Sequence, residues 1–197
     1  MLSGKLCRAC ASVLKKTLLY RERSREKRIA YLQKLRAIVS ERGSKNLVYV
    51  DETGFAPSCY RPHAWAVRGQ KVYGERSGNR RPRTSLIAAR WGRRMLAPIL
   101  FSGTATGEWF NQWLQDHLFK ELPPDATLIM DNAAFHKKPE TKAIIEQAHF
   151  NLLYLPPYSP DFNPIENDFA TIKKRRQSAP PETALDDIIN MSGNYLE

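Results

Sequence analysis

Asn151-Leu152-Leu153-Tyr154-Leu155-Pro156-Pro157-Tyr158-Ser159-Pro160-Asp161-Phe162-Asn163-Pro164-Ile165-Glu166-Asn167 runs from an apolar stretch, through a proline-rich loop, into the start of a helix. Pro156, Pro157, Pro160 and Pro164 are four of the thirteen prolines in the chain. Each proline fixes its own φ and biases its predecessor toward extended geometry, so the loop has little conformational freedom to lose on folding. Asn163 reads as a helix cap, Pro164 suits the first helical position, and Glu166 falls at the third. A strand, a stiff loop and a helix thus present one carboxylate at a set place. Such a loop either punctuates the fold or places a charge.

Two further apolar runs end in an acid. Leu47 to Val50 runs into Asp51-Glu52-Thr53-Gly54, and Thr127 to Met130 runs into Asp131-Asn132. Both are short and rich in aliphatic side chains, as strands covered on both faces are. Alternation along a strand sends Asp51 and Glu52 to opposite faces, so they do not serve one site together. Thr84 to Ala89 and Met95 to Phe101 read as two more strands around a turn at Trp91-Gly92, and Asn151 to Leu155 as the fifth. Helices are predicted over Ser3 to Lys16, Ser24 to Val39, from Thr106, over Pro139 to Gln147, from Pro164 to Arg176, and over Thr183 to Met191. The second carries Ile29, Leu32, Leu35 and Val39 as its apolar stripe. The third carries Trp109, Phe110, Trp113, Leu114 and Leu118, read as core. A hairpin is predicted for His63 to Val67 and Gln70 to Tyr73. Cys7 and Cys10 stand alone, without a second metal-binding pair, and read as packing residues. Five strands interleaved with helices make a mixed α/β layer fold.

The net charge of +11 is unevenly spread. Met1 to Asn46 holds thirteen Lys and Arg against three Asp and Glu, leaving eighteen against seventeen for the remainder. A basic arm on a nearly neutral body points to a polyanion, most often nucleic acid. No apolar run has membrane-spanning length and no signal peptide is evident, so a cytoplasmic protein without membrane partners is expected. Three cysteines do not make a disulfide framework.

Strand-end carboxylates near the centre of an α/β sheet lie where sites gather. Asp51, Asp131 and Glu166 brought together would repel one another until a cation neutralised them. Hard oxygen donors suit Mg²⁺ or Mn²⁺, and two such ions can clamp the attacking and leaving oxygens of a phosphodiester.

These residues carry a resemblance. Val50-Asp51-Glu52-Thr53-Gly54-Phe55, Met130-Asp131-Asn132-Ala133-Ala134-Phe135-His136 and Leu155 to Asn167, with thirty-four residues between Asp131 and Glu166, resemble the catalytic domain of DDE transposases of the mariner superfamily, in its bacterial insertion-sequence branch. The resemblance covers about Asn46 to Gln177. It implies an RNase H-like fold, a mixed five-stranded sheet flanked by helices, with a short basic helical arm before it. It also implies two Mg²⁺ or Mn²⁺ ions on Asp51, Asp131 and Glu166. The expected activity is metal-dependent DNA cleavage and strand transfer, by a cut-and-paste route into a TA target. The expected partners are element ends and target DNA, and the active form a homodimer in a bacterial cytoplasm, nucleoid-associated on DNA. Asn132, His136 and Asn167 are expected behind the carboxylates. Arg76, Arg80, Arg81 and Arg83, with Lys173, Lys174, Arg175 and Arg176, are the expected DNA contacts.

The front end departs from the family pattern. Residues 1–45 read as a basic helical arm, the remnant of a DNA-binding region and linker, ahead of a catalytic domain over 46–197. A downstream-frame product, partnered by an upstream-frame DNA-binding protein, and a truncated copy both fit this. Two other functions share the same residues: an inactive remnant that binds DNA or a full-length copy as an inhibitor, and an RNase H-like nuclease without strand transfer.

Overall fold

Strand β1 (Leu47–Phe55) lies at the middle of a five-stranded sheet. Its companions are β2 (Thr84–Trp91), β3 (Arg94–Ser102), β4 (Thr127–Met130) and β5 (Asn151–Tyr154), in the order β3-β2-β1-β4-β5. The computed structural model describes residues 21–56, 66–71, 73, 83–180 and 182–193. β1, β2 and β3 pair antiparallel, while β4 and β5 run parallel to β1. This is the mixed sheet that the resemblance implies.

β1 is longer than its apolar run suggests. The parallel ladder with β4 stops at Val50↔Met130, but the antiparallel ladder with β2 continues to Phe55↔Thr84. Asp51 therefore sits inside a strand, at the point where one neighbour leaves it. Glu52-Thr53-Gly54 reads as a turn in isolation; the backbone bonds offered by β2 keep it extended.

Helices cover both faces. On one face, α2 (Gly107–Trp113) passes through a π-helical stretch, Leu114–Leu118, into a final turn, α3 (Phe119–Glu121). Together with α4 (Pro139–Gln147), it buries Phe110, Trp113, Leu114, Leu118 and Ile145 against Val48, Val50, Leu128 and Met130. The opposite face carries α5 (Ile165–Ser178) and α6 (Leu185–Gly193), whose Ile165, Phe169, Ile172, Ile188 and Ile189 cover Phe55, Leu86 and Ala88. Helix α1 (Arg25–Arg42), capped by the Ser24 hydroxyl on the Lys27 N–H, lies over β4 and β5 on that same face.

The buried side of α1 is turned from the predicted stripe. Tyr31 is buried, with Leu32, Leu35 and Ile38 packed beside it against Ile129, Leu153 and Leu155, while Ile29 is exposed. The apolar spacing allowed either setting; the Tyr31 ring decides it by stacking on Phe162 at 5.4 Å. The helix stops at Gly43, whose φ of 80° is left-handed and whose N–H reaches the Val39 carbonyl.

The Tyr31 hydroxyl is buried with no hydrogen-bond partner. Tyr31→Phe keeps the stack and removes that unsatisfied group. It is expected to leave stability unchanged or raise it by up to about 1 kcal/mol, read as a urea midpoint. A loss of about 1 kcal/mol or more would show that the hydroxyl is bonded after all.

The predicted helix over Ser3 to Lys16 and the Cys7 and Cys10 pair lie outside the described residues. Of the predicted hairpin, His63 to Trp65 and Val72 do too; its described residues form no strand, and Gln70 N–H donates to the Val67 carbonyl to close a turn.

Candidate active site

The carboxylates of Asp51, Asp131 and Glu166 line one open cleft of about 530 Å³, beside Asn132, Leu155, Pro156, Pro157, Tyr158 and Asn163. Sheet register explains the first two. Val50 and Met130 are the last partners of the β1/β4 ladder, so the residues after them emerge at one level. Glu166 arrives from the first turn of α5, which packs against β1.

Each strand acid has protein donors. Asp51 Oδ1 accepts from the Glu52 N–H at 2.8 Å, and its Oδ2 accepts from Asn163 Nδ2 at 2.9 Å. Asp131 Oδ1 takes both the Ala133 N–H at 2.9 Å and His136 Nδ1 at 2.7 Å. The consequences for ionisation are opposite. Burial pushes the Asp51 carboxyl up to about 7, the Glu52 N–H opposes this, and the charges of Glu166, Asp131 and Glu52 add to it. Burial also raises Asp131, but His136, the Ala133 N–H and Lys137 outweigh it and hold the carboxyl below its usual range. Two acids in one cleft are thus poised differently, as acids in working sites are.

A raised pKa is a stability statement. Native Asp51 keeps a proton that the unfolded chain sheds near pH 4, so the metal-free protein gains stability below that pH and loses it as pH rises toward about 7. Urea midpoints in chelator are expected to fall from pH 5 to pH 7.5. Asp51→Asn should flatten that slope, and an unchanged slope would show that Asp51 is not the titrating group.

Among the described residues, no group of three His, Cys, Asp or Glu side chains is gathered closely enough to hold one ion by itself. The donors nonetheless suit hard divalent cations in type, being carboxylate oxygens in a cleft open to solvent.

The residues expected behind the carboxylates divide. His136, 2% exposed, packs on Phe110 and Phe135 and reaches Asp131, where it can hold that carboxylate in place. Asn132 instead donates its side-chain amide to the Leu155 carbonyl, tying the ends of β4 and β5 together. Asn167 is exposed and does not line the cleft. Glu52 points away from Asp51, as alternation requires; burial raises its carboxyl, with His136 opposing and Asp131 adding.

Two other acids of this segment are engaged elsewhere. Asp161 accepts from Arg28 at 2.6 and 3.0 Å and from Arg23 at 3.2 Å, and the Arg28 guanidinium lies 3.7 Å over the Phe162 ring. Asp168 is buried and paired with Arg90 at 2.7 Å. Asn163 is a neighbour of the acids that sequence reasoning missed. It reads as a cap, yet its side chain caps nothing and turns to Asp51. The only signal was its position beside the prolines.

Arg76, Arg80 and Arg81 lie outside the described residues. Arg83 lies flat on Gly54, where an added β-carbon would stand 1.8 Å from its Nε, and lines a second cleft with Ser85 and Thr104. Lys173 and Lys174 are exposed on α5. Arg175 donates to the Met191 carbonyl, and Arg176 lies 5.5 Å over the Phe55 ring.

A sheet of this order, layered by helices and carrying acids where its parallel pairing ends, is an RNase H-like fold. The sequence model of the DDE superfamily endonuclease family matches residues 46–187, and the chain belongs to that family. Comparison with curated protein sequences gives no match. Among solved structures, the chain is similar to the Mos1 strand transfer complex, at 16% identity and a TM-score of 0.73, over 96% of this chain and 60% of that one. It is also similar to the mariner Mos1 paired end complex with Mg, at 17% identity and a TM-score of 0.72 over the same shares. A third likeness is to the Mos1 transposase catalytic domain with Raltegravir and Mg, at 15% identity and a TM-score of 0.60, over 90% and 84%. At these identities the likeness speaks for the fold. The chain spans 60% of the length of the first of these proteins. No helix among the described residues is long and apolar enough to cross a membrane.

Proposed function

We propose that this chain is the catalytic part of a DNA transposase, and that Asp51, Asp131 and Glu166 hold two divalent cations, Mg²⁺ or Mn²⁺. The observation that carries the reading is the meeting of these three carboxylates in one cleft of a DDE superfamily endonuclease. Mos1 structures of this fold are described with Mn and with Mg, and with transposon end DNA. When bound, such ions would activate water and stabilise the oxygen that leaves phosphorus. Asp51 and Glu166 would hold their oxygens toward the reacting phosphate from two elements, β1 and α5. Asp131, kept ionised by His136 and Ala133, would do so from β4. Arg83, Lys173 and Lys174 would contact phosphate, with Arg76, Arg80, Arg81, Arg175 and Arg176 as further contacts. The freed 3′-hydroxyl would then attack target DNA. Homodimer formation, an upstream-frame partner and action at the nucleoid in a bacterial cytoplasm belong to this reading.

The test is incubation with duplexes carrying the element's ends and Mg²⁺ or Mn²⁺, with cleavage and joining scored separately. Both products are expected. Cleavage without joining would make the protein a nuclease, and neither product from a longer form of the chain would make it an inactive DNA-binding remnant.

A further inference from the structure

We propose that Asn163 is the positioning residue that couples the Asp51 carboxylate to the Glu166 turn of α5. The inference rests on the three-carboxylate reading of the cleft and extends it to a residue with no charge. Asn163 touches both arms of the site at once. Its Nδ2 donates to Asp51 Oδ2 at 2.9 Å, and its main-chain carbonyl accepts the Glu166 N–H at 3.3 Å. One residue therefore fixes an acid on β1 and the backbone that carries an acid on α5.

The residue is itself well held. It is 4% exposed, and its N–H donates to the Pro160 carbonyl at 2.9 Å. Just before it, Phe162 lies under the Arg28 guanidinium and against Tyr31, while Asp161 is gripped by Arg28 and Arg23. Pro164 follows, with its φ set by its ring. A side chain anchored on both sides can orient another with little freedom of its own.

The chemistry favours an amide. Asp51 already faces the charges of Asp131 and Glu166, so a fourth carboxylate there would add repulsion, whereas an amide donor relieves it. Its other atom, Oδ1, is buried with no partner on the wall of the cleft.

The experiment measures Mn²⁺ binding by the loss of free-ion EPR signal, together with Mn²⁺-dependent nicking of a supercoiled plasmid and melting temperature in chelator. It uses the full chain, Asn163→Ala and Asn163→Asp. Asn163→Ala is expected to weaken Mn²⁺ binding at least about tenfold and nicking about a hundredfold, as loss of an outer partner of a metal ligand does. Asn163→Asp separates charge from geometry: the added anion should bind Mn²⁺ at least as tightly as the parent, while nicking stays about a hundredfold down. If Asn163→Ala binds and nicks within twofold of the parent, the positioning role is wrong. It is equally wrong if Asn163→Ala only lowers the melting temperature and leaves Mn²⁺ affinity unchanged. A parent chain that binds no Mn²⁺ overturns the carboxylate reading itself, and this inference with it.

Discussion

Asp51→Asn and Glu166→Gln are each expected to reduce metal-dependent DNA cleavage roughly a thousandfold, equivalent to about 4 kcal/mol of transition-state stabilisation. Both substitutions keep side-chain size and remove a negative oxygen from the cleft where the reacting phosphate would lie. The fold should tolerate them. Asp51 is held up to about 7 largely by burial, with Glu166 and Asp131 adding to it, so its ionised form burdens the metal-free protein at neutral pH. Neutralising it is expected to leave the melting temperature in chelator unchanged or higher. Activity and stability should therefore move in opposite directions, which separates a lost ligand from a misfolded protein. Glu166→Gln cleaving within tenfold of the parent would remove Glu166 from the metal set.

The largest stability effect is expected at a pair the chemistry does not use. Arg90→Met should destabilise the protein by about 3 kcal/mol, which for a chain of this size is roughly 10 °C in melting temperature. Asp168 lies under α5 with its side chain only 6% exposed, and Arg90 on β2 is its charged partner at 2.7 Å. Burial outweighs Arg90 and leaves Asp168 with a raised pKa, so even the paired carboxylate is held at a cost. Without Arg90 the charge is buried alone. The deficit should narrow at acid pH, where Asp168 takes up a proton and needs no partner. Arg90→Met combined with Asp168→Leu should recover most of the loss, because an apolar pair of similar volume often replaces a buried ion pair without penalty. A single-variant loss below about 1 kcal/mol would mean that the pair behaves as a surface salt bridge does.

The two pairs differ in how they could be found from sequence. The meeting of Asp51, Asp131 and Glu166 in one cleft was legible because each follows a strong local signal: an apolar run that stops, or a proline loop that opens a helix. β4 and α4 match their predicted bounds for a related reason, since Pro123-Pro124-Asp125 and Asp131-Asn132 flank Thr127 to Met130, and Pro139 opens the helix. The far half of β1 was not legible. Glu52-Thr53-Gly54 becomes strand only through β2, thirty residues on, and local preference carries no trace of that partner. Arg90 with Asp168 and Arg28 with Asp161 are separated by 78 and 133 residues, and one sequence holds nothing that links them. The π-helical stretch at Leu114–Leu118 keeps the same apolar spacing as the helix around it and so left no mark. Asn163 was visible but misread. A cap position beside proline is the expected reading, and only the facing Asp51 charge turns the side chain another way.

Helix α1 began as the carrier of a basic arm, and the structure gives it a mechanical part. It is bolted to the sheet by Tyr31, Leu32 and Leu35, and its Arg28 grips the loop at Asp161, two residues before Asn163 and five before Glu166. The helix is thus tied to the cleft twice over, once through the sheet and once through the loop that carries Asp161 and Asn163.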